Sequence, residues 1–224
     1  MNIYQRNLDE VIENIEKSRL TVSGHHIVKI VAVSKYNTTE DIQKLLEVGQ
    51  RAFGENKVQD LQAKSLELEM LPIEWHFIGN LQKNKINHLI DADPFLMHSL
   101  DSLELALAMD KRLKEKNSTM DMLLQVNSAK EESKSGVIPE AAKDIYQAVN
   151  EQCPNINLKG VMTIGAHSED EKLIQKSFET TQKIFTDLSD PKAIICSMGM
   201  SSDYELAIAC GSNMVRIGSA LFKD

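Results

Sequence analysis

The sequence predicts an α/β fold, a closed (β/α)8 TIM barrel with an extra helix at its N-terminus. Three observations predict it. Short β-branched runs alternate with amphipathic stretches from one end to the other, the pattern of a parallel sheet with helical crossovers. The runs number eight, and 224 residues shared among eight units is roughly 28 each, close to a βα unit in a barrel of about 250 residues. No Gly-x-Gly-x-x-Gly turn follows the first run, which argues against an open doubly wound sheet.

In chain order, residues 1 to about 20 carry Leu8, Val11, Ile12 and Ile15 at helical spacing, the extra helix. The first strand is expected over 27–33, and the others over 51–54, 73–78, 95–98, 120–126, 158–164, 193–197 and 213–217. After the first strand, Thr38 and Asp41 have capping spacing, Ile42, Leu45 and Leu46 share one face, and Gly49 is a stop. Residues 101–113 repeat this plan. Ser202 and Glu205 have capping-box spacing ahead of a short apolar helix that stops at Gly211 and is expected to be buried. No Pro-, Gly- or Ser-rich linker divides the chain, so residues 1–224 are assigned to one domain.

Composition narrows the function classes. A hydrophobic fraction of 42% with 26% charged residues is that of an ordinary globular chain. A formal charge of -8 repels a phosphate backbone, so nucleic acid is not an expected partner. No basic leader with an apolar core opens the chain, and no apolar run is long enough to span a bilayer; the expectation is a cytoplasmic protein that does not enter membranes. Cys153, Cys196 and Cys210 are odd in number and far apart, reading as reduced thiols. The six histidines form no His-Glu-x-x-His pattern, and no metal is expected.

Barrel active sites lie at the C-terminal ends of the strands, and Lys35 stands two residues beyond the first apolar run. An amine in an enclosed mouth loses hydration, which favours the neutral form that condenses with an aldehyde. Taken alone, a lysine there reads more readily as a solvated strand-end residue. The far end of the chain gives it meaning. Strands seven and eight run into Ser197-Met198-Gly199-Met200-Ser201-Ser202 and Val215-Arg216-Ile217-Gly218-Ser219, the places where barrels bind phosphate with backbone N–H groups, small side chains and a helix start. Gly199 and Gly218 are expected to permit close backbone approach, Ser201 and Ser219 to supply hydroxyls, and the helix near Asp203 to supply its dipole. Trp75 reads as core. His76 reads equally as a wall of the pocket or as packing within its strand.

Six ordered motifs, Val31-Ala32-Val33-Ser34-Lys35, Phe53-Gly54-Glu55-Asn56, the stretch from Trp75 to Lys85, Ser133-Lys134-Ser135-Gly136, Ser197-Met198-Gly199-Met200-Ser201 and Val215-Arg216-Ile217-Gly218-Ser219, span nearly the whole length. With them the chain resembles the pyridoxal phosphate homeostasis proteins, the proline synthetase co-transcribed homolog type, which are similar to the N-terminal barrel of alanine racemase, a fold type III pyridoxal phosphate protein. The resemblance implies pyridoxal 5′-phosphate (PLP) as cofactor, in a Schiff base on Lys35, with Ser197, Ser201, Gly218 and Ser219 on the phosphate, Arg216 facing the pyridine nitrogen and Asn56 lining the cofactor face. An arginine at that nitrogen disfavours its protonation and makes the ring a poorer electron sink. Lys134 reads by composition as a solvated loop lysine, while the family pattern suggests an accessory role near the site. Tyr36-Asn37 departs from the usual stretch after the reactive lysine and leaves the first-loop contacts open.

Racemases of this barrel type use a second base, a tyrosine from an added β domain. The chain stops just after its eighth strand, and Tyr4, Tyr36, Tyr146 and Tyr204 do not suit that role. The resemblance therefore implies a carrier or regulator of intracellular PLP, vitamin B6 and amino-acid balance with no catalytic residues, exchanging PLP with acceptor apoenzymes and requiring no more than a monomer. Two alternatives are a one-base PLP-dependent racemase or lyase of low activity, and a barrel enzyme in which Lys35 condenses with a phosphorylated metabolite.

Overall fold

The computed structural model describes residues 2–223; Met1 and Asp224, the ends of the span assigned to the domain, lie outside the described residues. Eight parallel strands close into one barrel in sequence order: β1 (Lys29–Val33), β2 (Ala52–Glu55), β3 (Glu74–Phe77), β4 (Leu96–Leu100), β5 (Met120–Gln125), β6 (Ile156–Met162), β7 (Ile195–Met200) and β8 (Met214–Ile217). The seam is a continuous ladder from Lys29 against Met214 to Ala32 against Ile217. Each expected strand is present. Observed ends coincide with the expected ones or move by one to three residues: β1, β6 and β7 start two residues away from the expected positions, and β7 runs on to Met200.

Alternation along the strands sorts the core. Val31 packs inside the barrel with Ala52, Leu96, Leu123, Met162 and Met214, while its neighbour Ala32 faces the helix layer with Ile42, Leu45 and Phe53. Around the sheet run α1 (Ile3–Leu20), α2 (Thr39–Glu47), α3 (Val58–Glu67), α4 (Ile86–Ala92), α5 (Leu103–Glu115), α6 (Ala142–Gln152), α7 (Glu171–Asp187), α8 (Tyr204–Ala209) and α9 (Ser219–Phe222). The Thr38 and Asp41 capping box at α2 forms as expected, and Ser102 caps α5 through Leu105 N–H. Ser202 does not cap α8. Asp203 occupies that place instead, because its carboxylate accepts from the Met200 N–H and so is turned back onto β7.

The extra helix has a definite job. Asn7 on α1 donates to the carbonyls of Leu221 (3.3 Å) and Lys223 (2.7 Å), and Asn14 donates to the Tyr204 hydroxyl at 3.2 Å. Helix α1 thus grips α8 and α9, the two short helices beyond β7 and β8, and fixes the side of the barrel mouth that they form. Among the described residues no helix is long and apolar enough to cross a membrane.

Candidate functional site

A cavity of about 560 Å³ opens at the C-terminal end of the barrel, in the size range of small-molecule sites, and Lys35, Tyr36, Ser201, Arg216, Gly218 and Ser219 border it. The residues come from the turn after β1 and the ends of β7 and β8, so distant parts of the sequence meet there.

Lys35 stands in a turn closed by the Asn37 N–H on the Ser34 carbonyl, 2.9 Å. The turn is held from below. Ser34 Oγ donates to Glu55 Oε1 at 2.6 Å, and Lys64 Nζ reaches both Glu55 Oε1 (2.8 Å) and the Ser34 carbonyl (2.9 Å). Glu55 is fully buried. This charge pair therefore clamps the residue before Lys35 while the Lys35 side chain remains part-exposed, its Nζ 4.9 Å from the centre of the Tyr36 ring. Glu55 lay inside a quoted motif, but its pairing across nine residues to α3 left no sequence signal.

Opposite, Ser201 Oγ accepts from the N–H groups of Gly218 (3.1 Å) and Ala220 (3.5 Å), tying the loop after β7 to the one after β8. Gly199 serves another purpose than the one expected. Its φ is +93°, and a Cβ there would stand 2.7 Å from Ala207 Cβ and 2.8 Å from Tyr204 Cα, so glycine is needed for α8 to pack on β7.

Arg216 lies at the cavity floor, with NH1 donating to the Ser197 carbonyl (3.0 Å) and Oγ (2.7 Å) and NH2 donating to the Thr163 carbonyl (2.8 Å). Among the described residues no carboxylate pairs with it; burial pushes its pKa down to about 10, opposed by the more distant Asp203. A buried cation with only neutral partners is costly, and an acceptor or anion entering the cavity relieves that cost.

Three expected residues do not border that cavity. Ser197 is fully buried under Arg216 and does not border the cavity, so its hydroxyl holds the guanidinium and is not available to a phosphate. His76 is fully buried within the barrel, its Nδ1 2.9 Å from His98 Nε2, and walls nothing at the mouth. Asn56 is part-exposed at the end of β2 beside the loop after β3; Gly79 is required there because a Cβ would fall 1.9 Å from the Asn56 carbonyl oxygen. Lys134 is no solvated loop residue. It donates to the Gly165 carbonyl at 2.6 Å and pairs with Glu131 at 3.0 Å, joining the loops after β5 and β6.

The cysteines are free, and burial raises all three thiols, Cys153 and Cys210 to about 11, which leaves none a ready nucleophile. Among the described residues no three His, Cys, Asp or Glu side chains cluster to hold a metal ion.

Residues 7–224 match the family described as alanine racemase, N-terminal domain. A Helicobacter pylori protein named pyridoxal phosphate homeostasis protein is 57% identical over 221 residues, covering 99% of both chains. The chain belongs to the pyridoxal phosphate homeostasis protein family. A crystal structure of an unknown protein from Bifidobacterium adolescentis matches with a TM-score of 0.92 at 32% identity, covering 98% of this chain and 94% of that one. The PipY structure from Synechococcus elongatus with PLP bound matches with a TM-score of 0.77 at 29% identity, covering 93% and 99%. The barrel, its closure and its N-terminal helix are thus those of the family, and the motifs that suggested membership sit on the strands and loops around one mouth.

Proposed function

We propose that the mouth binds PLP covalently through the Lys35 amine as a Schiff base, and that the chain acts as a cytoplasmic carrier and regulator of PLP without efficient catalysis. The observation that carries this reading is the pairing, across one cavity, of a part-exposed strand-end lysine with a buried arginine that has no carboxylate. The donor set fits the cofactor. The Ser201 and Ser219 hydroxyls and the Ser219 N–H suit a phosphate, and the Gly218 N–H holds Ser201 Oγ beside them. Arg216 offers donors only, and therefore holds a pyridine nitrogen as an acceptor. Ser197 acts one step back, on Arg216, and Asn56 flanks the cofactor from the β2 side. When bound, PLP supplies an aldehyde that captures amines and a ring that withdraws electrons, and a donor-only partner at the ring nitrogen weakens that withdrawal.

The tyrosines support the non-catalytic part. Tyr146 and Tyr204 are buried with their hydroxyl pKa values raised by desolvation, Tyr4 donates to Asp41 at 2.6 Å, and Tyr36 lies on the same side as Lys35. None is set to move a proton on the face opposite the lysine. Exchange with acceptor apoenzymes follows from a site with an open mouth, and no partner surface beyond it is required.

Borohydride reduction of the PLP-treated protein followed by peptide mass mapping is the test. A pyridoxyl adduct on the peptide containing Lys35, absent from Lys35→Ala, is expected. An adduct at Lys134 alone would overturn the assignment.

A further inference from the structure

Beneath the cavity, the barrel interior holds four polar side chains in a row, Arg216, Ser197, His98 and His76, and their chemistry allows one direction of hydrogen bonding. A guanidinium only donates, so Ser197 Oγ, 2.7 Å from Arg216 NH1, accepts. The hydroxyl proton of Ser197 then needs an acceptor of its own. Among the described residues the remaining polar side-chain atom within reach is His98 Nδ1 at 3.3 Å, which must be unprotonated to take it. His98 Nε2 consequently carries hydrogen and donates to His76 Nδ1 at 2.9 Å, leaving a His76 Nε2–H that has no partner.

The reverse direction is worse. If His76 donated to His98 and His98 to Ser197, the serine proton would have no acceptor and His76 Nε2 no donor, two unsatisfied buried groups in place of one. Both rings are fully buried, and burial together with nearby cations, Lys29 for His76 and Arg216 and Lys29 for His98, keeps them neutral.

We infer that His98 is a positioning residue for Arg216: by taking the Ser197 proton it fixes the serine oxygen as an acceptor for the guanidinium, and His76 in turn sets the His98 tautomer. Every bond in the chain runs from Arg216 away from the cavity. The row therefore orients the arginine but passes no proton toward it, and a ring nitrogen placed against Arg216 receives none from the barrel interior. This last consequence rests on the proposed PLP site; the polarity of the chain does not.

Long-range 15N–1H correlation spectra of the histidine-labelled protein without PLP test the polarity directly. Both His98 and His76 are expected as neutral Nε2–H tautomers at neutral pH, with resonances assigned through His98→Asn and His76→Phe. A proton on His98 Nδ1, or a doubly protonated ring, would sink the inference. A second measurement tests positioning. His98→Leu is expected to weaken PLP binding about tenfold, one hydrogen bond's worth, and to shift the visible band of the bound cofactor. In His98→Asn the amide oxygen can take the serine proton, and affinity within about threefold of the parent is expected. An unchanged band and affinity in His98→Leu would overturn the positioning role, and should that variant not fold, the tautomers of the unsubstituted protein still decide. Loss of the Lys35 assignment would leave the tautomers standing, whereas a reversed tautomer would leave PLP on Lys35, so the two failures are distinguishable.

Discussion

Under β1 and β2, Glu55 is fully buried and meets the ammonium of Lys64 at 2.8 Å; under β7 and β8, Arg216 is also buried and meets only hydroxyl and carbonyl oxygens. The first region brings its own counter-charge. The second lacks one and ends at a cavity. A charge paired within the chain holds a turn, here the one that presents Lys35, while a charge left without its partner marks where something from outside is received. The two sides of one mouth thus divide the work: one side is made rigid by internal pairing, and the other is kept incomplete.

Breaking the paired side should cost most. Glu55→Leu leaves the part-buried Lys64 ammonium without its counter-charge and the buried Ser34 hydroxyl without its acceptor, and a loss of about 3 kcal/mol is expected in urea unfolding of the protein without PLP. Adding Lys64→Met should recover most of it, since an apolar pair of similar volume replaces both charges. Arg216→Met should cost less in the same assay, about 1–2 kcal/mol, because orphaned acceptors at Ser197 and Thr163 are partly offset by removal of an unpaired charge. Equal losses in Glu55→Leu and Arg216→Met would erase the distinction drawn between the two regions.

Acid sharpens the comparison next. His76 is neutral in the folded protein with its pKa pushed down to about 3 by burial and the Lys29 charge, and regains the ordinary value of 6.5 on unfolding. The unfolded chain therefore binds more protons in that window, so stability is fully present above 6.5 and is lost as pH falls toward 3. The slope is about 1.4 kcal/mol per pH unit for each such histidine, and His98, held well below the ordinary value by burial, His76 and Arg216, adds its own share. His76→Phe should remove one share from the slope of unfolding free energy against pH. A slope unchanged by that substitution would mean that His76 is protonated in the folded barrel, and the neutral chain under Arg216 would go with it.

The order of elements was legible because burial on alternating faces is written along each strand, and Lys35, Ser201, Arg216, Gly218 and Ser219 do share one cavity. Depth was not legible. Ser197 and Ser201 look alike as small hydroxyl residues flanking Gly199, yet a shift of register between Ser197 and Met200 against β8 separates a buried serine from one at the rim. His76 follows Trp75 in a strand whose inward positions the pattern identifies, but how far below the mouth an inward side chain lies depends on the shear of the closed barrel. Lys134 and Lys64 failed for a related reason: the Gly165 and Ser34 carbonyls that they reach belong to other βα units, and a sequence read one unit at a time does not bring them together.

The smallest effect concerns what holds β7 and β8 in the register that separates those two serines. Ser212 is fully buried between the strands; its Oγ accepts from the Met198 N–H at 3.2 Å and lies 2.8 to 3.2 Å from the carbonyls of Met198, Met214 and Cys196. Asn213 beside it accepts from the Cys196 N–H at 2.8 Å and donates to the Ile194 carbonyl at 2.7 Å. Ser212→Ala leaves the Met198 N–H buried without that acceptor, and a loss of about 1 kcal/mol is expected in urea unfolding. Because Met198 lies between Ser197 and Gly199, the damage should be local: faster amide exchange at Met198 than at Phe77 on β3, across the barrel, with the Glu55–Lys64 clamp undisturbed. Uniform acceleration of exchange around the barrel would show instead that the two sides of the mouth are one cooperative unit, and that their contrast is confined to charge.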